Sequence, residues 1–130
     1  MIKSKYNNKK VFIDGIKFDS KMESEYYLHL LRTGVAKETI KLQPSFVLFE
    51  TDKDNEGKTL RKMKYTADFQ IGDVVIDIKG MPTPVFAIKK AIFKRKFKQY
   101  KLSVLTKAPK WTGVEWIELD ELKKLRKERK

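Results

Sequence analysis

The sequence predicts an α/β fold in which a mixed β-sheet is flanked by helices. Three observations predict it. Ser20 followed by Glu23 is a capping pattern that opens an amphipathic helical stretch. Two apolar runs, residues 64–71 and 74–79, flank Gly72-Asp73, a two-residue turn signal, and so read as adjacent antiparallel strands. A second helical stretch, residues 85–99, then leads to the apolar strand 102–105. Strands joined through a helix run parallel by a right-handed crossover, so 74–79 and 102–105 form the parallel part of the sheet.

The remaining elements follow in chain order. Residues 11–13 and 16–18 alternate around Asp14-Gly15, which suits a type I′ hairpin turn. The first helix runs from Ser20 to about Arg32 and stops near Gly34. Residues 40–50 read as a strand whose first part Pro44 places at an edge or bend. Residues 51–58 are polar enough to be a loop, and one Gly with two Pro break the pattern at 80–84. A loop at 108–113 precedes a final helix, 118–130, that frays into a basic tail. The expected order is helix, a meander of three strands, helix, strand and C-terminal helix, in one domain over residues 1–130.

Charge narrows the function classes. Thirty Lys and Arg against seventeen Asp and Glu leave +13 on 130 residues. A surplus of that size favours a polyanionic partner, with nucleic acid ahead of an anionic membrane. The charge is also segregated: residues 79–114 contain ten Lys and Arg and no acid. The absence of cysteine excludes disulfides, thiolate metal sites and cysteine nucleophiles. No apolar run approaches a membrane span, and residues 1–10 lack the apolar stretch of a signal peptide, so a cytoplasmic protein is the expectation.

Within this frame the acids at 68 and 77 stand out. With Gly72-Asp73 as the turn, Asp68 faces Asp77 across the hairpin, and alternation puts Asp68, Asp77 and Lys79 on one face. Opposed carboxylates repel. A divalent cation between them converts the repulsion into coordination, and hard Mg²⁺ takes oxygen ligands. The plainer reading is a hairpin edge with both aspartates in water.

Helical phase adds two residues. At about 100° per residue, Met22, Tyr26, Tyr27, Leu28, Leu30 and Leu31 centre within roughly 10° of Glu23. A carboxylate on a buried face needs a partner. The partner is the backbone N–H of Ser20 in a capping box, or the metal held by Asp68 and Asp77. In the second helix Val85, Phe86, Ile88, Ile92, Phe93 and Phe97 form an apolar stripe with Lys89 near its middle. Lys89 either snorkels past the core to water or reaches the site or a bound phosphate. Lys90, Lys94, Arg95 and Lys98 lie off the stripe and, with Lys101, make the densest basic run. Six further cations stand between Lys123 and Lys130, in a tail that is either a solvated end or a nucleic-acid contact.

A Glu in the first helix, an Asp, then Asp-x-Lys on the next strand resembles the PD-(D/E)XK nuclease superfamily, and the element order resembles its restriction-endonuclease-like core. Phe18-Asp19-Ser20-Lys21-Met22-Glu23, Leu42-Gln43-Pro44, Tyr65-Thr66-Ala67-Asp68-Phe69 and Asp77-Ile78-Lys79-Gly80 are similar to small phage-encoded endonucleases, some regarded as Holliday-junction resolvases. Ala67 stands where the superfamily name has Pro, and Asp77 stands where Glu is commoner.

The resemblance implies that Glu23, Asp68 and Asp77 bind one or two Mg²⁺, which Mn²⁺ would replace, with the Ile78 carbonyl as a further ligand. It implies that Lys79 orients or activates the attacking water, or balances charge in the transition state. Gln43 is an accessory candidate for the metal shell or the nucleic acid, or else a buried hydrogen-bonding residue. The partner implied is branched or duplex DNA in a bacterial host cytoplasm, and symmetric cutting of two strands implies a homodimer. The alternative is a nucleic-acid-binding protein that keeps the fold without the chemistry.

Overall fold

The computed structural model describes residues 10–129. Most of the basic N-terminal arm, and Lys130 at the end of the tail, therefore lie outside the described residues. Two compact units divide between Thr39 and Ile40.

The first unit holds β1 (Val11–Ile13), β2 (Ile16–Phe18) and α1 (Lys21–Arg32). β1 and β2 pair in the expected hairpin register, Ile13 opposite Ile16. Asp14 and Gly15 both take positive φ, 53° and 78°, as a type I′ turn demands. α1 starts at the predicted cap, where the Ser20 side chain accepts from the Glu23 amide at 3.1 Å. It buries Ser24, Tyr26, Tyr27 and Leu30. Two expectations need correction. Leu28 is exposed, and Glu23 is only half buried, because the small Ser24 takes a place on the inner face beside the two tyrosines.

The second unit is built on a five-stranded mixed sheet. Its strands are β3 (Lys41–Leu42), β8 (Phe69–Ile71), β9 (Val74–Ile78), β10 (Lys101–Lys107) and β11 (Trp116–Glu118). They lie in the order β11-β10-β9-β8-β3. β9 and β10 are parallel, with Val74 beside Lys101 and Ile78 beside Leu105. β8 and β9 form the expected hairpin, Ile71 opposite Val74, and Gly72 supplies the positive φ of 59° that starts its turn. Between β9 and β10 runs α2 (Pro84–Lys96), and α3 (Leu119–Arg129) follows β11 directly.

Two long strands of the sequence reading are each broken in two. The first stops at Leu42 and resumes as β4 (Ser45–Phe49). The second stops at Thr66, the end of β7 (Met63–Thr66), and resumes as β8. β4 and β7 pair with each other as a separate ribbon, outside the five-stranded sheet. The breaks face one another: Gln43 donates to the Asp68 carbonyl, and Ala67 to the Pro44 carbonyl, each at 3.0 Å. The cause lies at Gln43 and Pro44. Gln43 has φ 47°, and proline offers no amide to a ladder. Beyond the ribbon, the polar 51–58 segment begins a small hairpin, β5 (Asp52–Lys53) with β6 (Thr59–Leu60).

The second helix also departs from its expected stripe. Phe86 and Phe93 are buried, whereas Val85 and Ile88 are 62% and 59% exposed. Thr83 caps the helix by accepting from the Phe86 amide, with Pro84 in its first turn. The helix ends at Lys96 rather than Gln99, because Phe97 and Tyr100 turn back on the core. Their rings lie 5.4 and 5.5 Å from Phe46, which meets Phe93 edge-on at 4.9 Å. Leu48, Tyr65, Ala67, Val75, Leu102, Val104 and Leu119 complete this core. Burial of Phe93 alone contributes on the order of 3–5 kcal/mol relative to alanine.

Candidate functional site

β9 carries Val75 and Asp77 on one face, Lys79 follows just past its end, and Val75 belongs to the core beneath α2. Asp77 is 1% exposed. A carboxylate sealed from water is costly unless its oxygens are held. Both are engaged. Tyr65 on β7 donates its phenolic hydrogen to Oδ2. The Lys79 ammonium lies 3.4 Å from Oδ1. Lys79 is in turn seated over the Phe86 ring, 4.6 Å from its centroid. Burial, then the negative charge of Asp77, hold the Tyr65 hydroxyl far above the ordinary tyrosine range, so it stays protonated as a donor.

Asp68 reaches the same neighbourhood by another route. The β8–β9 ladder registers Phe69 opposite Ile76 and goes no further. In a continued ladder the Ile78 amide would pass to the Ala67 carbonyl. Here it donates to Oδ2 of Asp68 at 2.7 Å, while the Asp68 amide donates to the Ile76 carbonyl at 3.1 Å. The regular cross-strand pairing of Asp68 with Asp77 is therefore corrected: the Asp68 side chain replaces a strand carbonyl at the point where the strand breaks. The two carboxylates remain close enough that the charge of Asp68, like that of Asp77, is felt at the Tyr65 phenol. Asp68 and Lys79 are half exposed, unlike the sealed Asp77.

Sequence reasoning missed Tyr65 and Phe86 as site residues. Parity argues against Tyr65, which stands three residues before Asp68 and so on the opposite face of a continuous strand; the break after Thr66 and the pairing of β7 with β4 bring it to Asp77.

The other expected residues fall as follows. Glu23 sits in the first unit, where its Oε1 accepts from the Ser20 hydroxyl at 3.2 Å. The Ser20 hydroxyl thus both accepts from the Glu23 amide and donates to its carboxylate. Gln43 is exposed, in the left-handed region, with its amide on the Asp68 carbonyl; a buried role for it is corrected. Lys89 is half buried. Lys90, expected to face solvent, is also half buried and pairs with Asp120 of α3 at 3.5 Å. Lys94, Arg95, Lys98 and Lys101 are exposed. They do not gather at the carboxylates: Lys101 registers with Val74, about three strand residues, or roughly 10 Å, below Asp77. A cavity of about 310 Å³ adjoins the other end of α2, with Phe86, Lys90 and Lys123 among its lining residues. The six-cation tail is helical through Arg129, whose guanidinium covers the Trp111 ring at 4.1 Å.

Among the described residues no group of three or more His, Cys, Asp or Glu forms a metal cage. The donors at Asp68 and Asp77 instead fit a cation that keeps most of its water. Mg²⁺ is such an ion, commonly bound through one or two carboxylates together with substrate phosphate oxygens. The Ile78 carbonyl belongs to the residue whose amide grips Asp68, which places it beside these donors along the chain.

No helix among the described residues is long and apolar enough to cross a membrane. A family model described as a protein of unknown function (DUF1064) matches residues 3–113, and the chain belongs to that family. No curated protein and no solved structure matches the chain.

Proposed function

We propose that the chain is a Mg²⁺-dependent endodeoxyribonuclease with a restriction-endonuclease-like core, acting on branched or duplex DNA. One observation carries this reading: a sealed Asp77 carboxylate, clamped by Tyr65 and Lys79, next to an Asp68 carboxylate held by the Ile78 amide. A carboxylate at a purely structural position would be replaced by an apolar residue at little cost and some gain. Two carboxylates and an ammonium at the solvent margin of a core are the components of phosphodiester hydrolysis.

In this reading Asp68 and Asp77 hold the metal, with the Ile78 carbonyl as a further ligand. When bound, the ion activates water and offsets charge on the phosphoryl oxygens. Lys79 has the reach to orient that water or to stabilise the developing negative charge, since its ammonium is already fixed between Asp77 and Phe86. The exposed Lys94, Arg95, Lys98 and Lys101, with the α3 cations, supply phosphate contacts that hold DNA without reading its sequence. Cutting both strands of a junction symmetrically would require a homodimer.

The deciding experiment incubates the protein with four-way junctions, linear duplex and single strands, with and without Mg²⁺. Metal-dependent nicking that Asp77→Ala abolishes supports the reading. Salt-sensitive binding with no cleavage in Mg²⁺ or Mn²⁺ overturns it in favour of a non-catalytic binding protein.

A further inference from the structure

The phenol of Tyr65 does more than satisfy a buried charge. It holds one chosen oxygen of Asp77, Oδ2, and leaves the other, Oδ1, on the side of Lys79. The ring that carries it is itself immobilised, 5.4 Å from Phe93 and 6.1 Å from Phe86. Tyr65 is 3% exposed and Phe93 fully buried, so the hydroxyl has no freedom to leave Asp77 without disrupting the core.

We infer that Tyr65 is a positioning residue that makes Asp77 a one-oxygen ligand and thereby sets a preference for a small divalent cation over a large one. The inference rests on the metal-binding role proposed above for Asp77. The reasoning is coordination chemistry. Mg²⁺ requires near-octahedral oxygens at about 2.0–2.1 Å and accepts single carboxylate oxygens, whereas Ca²⁺ takes six to eight oxygens at about 2.3–2.6 Å and gains from two-oxygen carboxylates. A carboxylate with one oxygen committed to a phenol offers the first kind of contact and denies the second. Groups that orient a metal ligand commonly change affinity by about 10–100-fold when removed.

The test is calorimetric titration of the whole protein with Mg²⁺ and, separately, with Ca²⁺, in the absence of DNA. Tyr65→Phe keeps the ring and removes the donor. The expected result is a Mg²⁺ affinity about tenfold weaker with Ca²⁺ affinity unchanged or raised, so that the ratio of the two falls at least about tenfold. Leu122→Ala removes a buried side chain of α3 outside the core cluster that holds Tyr65 and Phe93, and should leave the ratio as in the parent chain. Asp77→Glu carries the carboxylate past the phenol and should lose the preference as Tyr65→Phe does, which keeps the inference testable if that variant unfolds. An unchanged ratio in folded Tyr65→Phe or Asp77→Glu, or an equal fall in Leu122→Ala, overturns it. If the parent chain binds neither ion, the nuclease reading fails first. If it binds Mg²⁺ and the ratio does not respond, the role of Tyr65 fails alone.

Discussion

The amide of Ile78 donates to the Asp68 carboxylate at 2.7 Å, so a side chain stands where a neighbouring strand would normally present its backbone. This bond separates structure from chemistry at Asp68. Asparagine retains a carbonyl oxygen that accepts from Ile78, whereas alanine retains none. Asp68→Asn should keep its stability to within about 1 kcal/mol and lose cleavage. Asp68→Ala should lose cleavage and a further 1–3 kcal/mol or so, the cost of an unpartnered amide. Urea unfolding alongside the junction assay checks both, and full activity in Asp68→Asn would remove this residue from the site.

Lys79 supplies positive charge 3.4 Å from Oδ1 of Asp77, where an arriving cation also gains its attraction. The two compete. Lys79→Met should therefore bind Mg²⁺ more tightly than the parent chain while its cleavage rate falls by about 100-fold or more. Titration without DNA measures the first, and single-turnover cleavage the second. Parallel losses of binding and rate would show that Lys79 supports the metal and does not act on the phosphate.

Gln43 holds a left-handed conformation at φ 47° immediately before Pro44. For a residue with a Cβ that conformation costs about 1–2 kcal/mol. Gln43→Gly should be neutral or stabilising in urea unfolding, and Gln43→Val destabilising by about 1–2 kcal/mol. If the side chain serves DNA or the metal shell, the glycine variant will be a stable protein with weakened cleavage. Unaltered cleavage would mark Gln43 as a backbone device only.

The exposed cations Lys94, Arg95 and Lys98 stand at the end of α2 away from Phe86 and Lys79. Replacing all three by Gln should weaken duplex binding at every sequence. It should also lower the slope of log affinity against log salt by up to about three. Fluorescence anisotropy across a salt series gives that slope. An unchanged slope would move the DNA path away from this end of the helix.

Sequence periodicity carried much of this architecture. Asp14-Gly15 and Gly72-Asp73 are local signals, and each produced its hairpin in the expected register. The parallel pairing of β9 with β10 followed from the helix between them. What escaped is tertiary. Alternation makes 64–71 one strand, and nothing within the segment shows that its halves join different sheets; the break comes from Gln43-Pro44 on the partner strand. The stripe on α2 included Val85 and Ile88 because both are apolar, but Phe86, Phe93, Ile92 and Phe97 pack on the core and those two stay exposed. Asp77 and Lys79 were legible as a pair two residues apart on a strand. Tyr65 was not, since a hydrogen bond spanning twelve residues depends on how two ribbons meet.

The facing breaks at Gln43-Pro44 and Ala67-Asp68 have an evolutionary consequence. Asp68 and Asp77 are anchored on the sheet side of that crease, while β4 and β7 carry the chain onward to the β5–β6 tip and the turn at Asp54–Gly57. Insertions or deletions at the tip can change the reach of the ribbon without shifting the register of either aspartate. Such a layout lets selection lengthen or trim the arm, and so vary what it touches, while both carboxylates stay where they are.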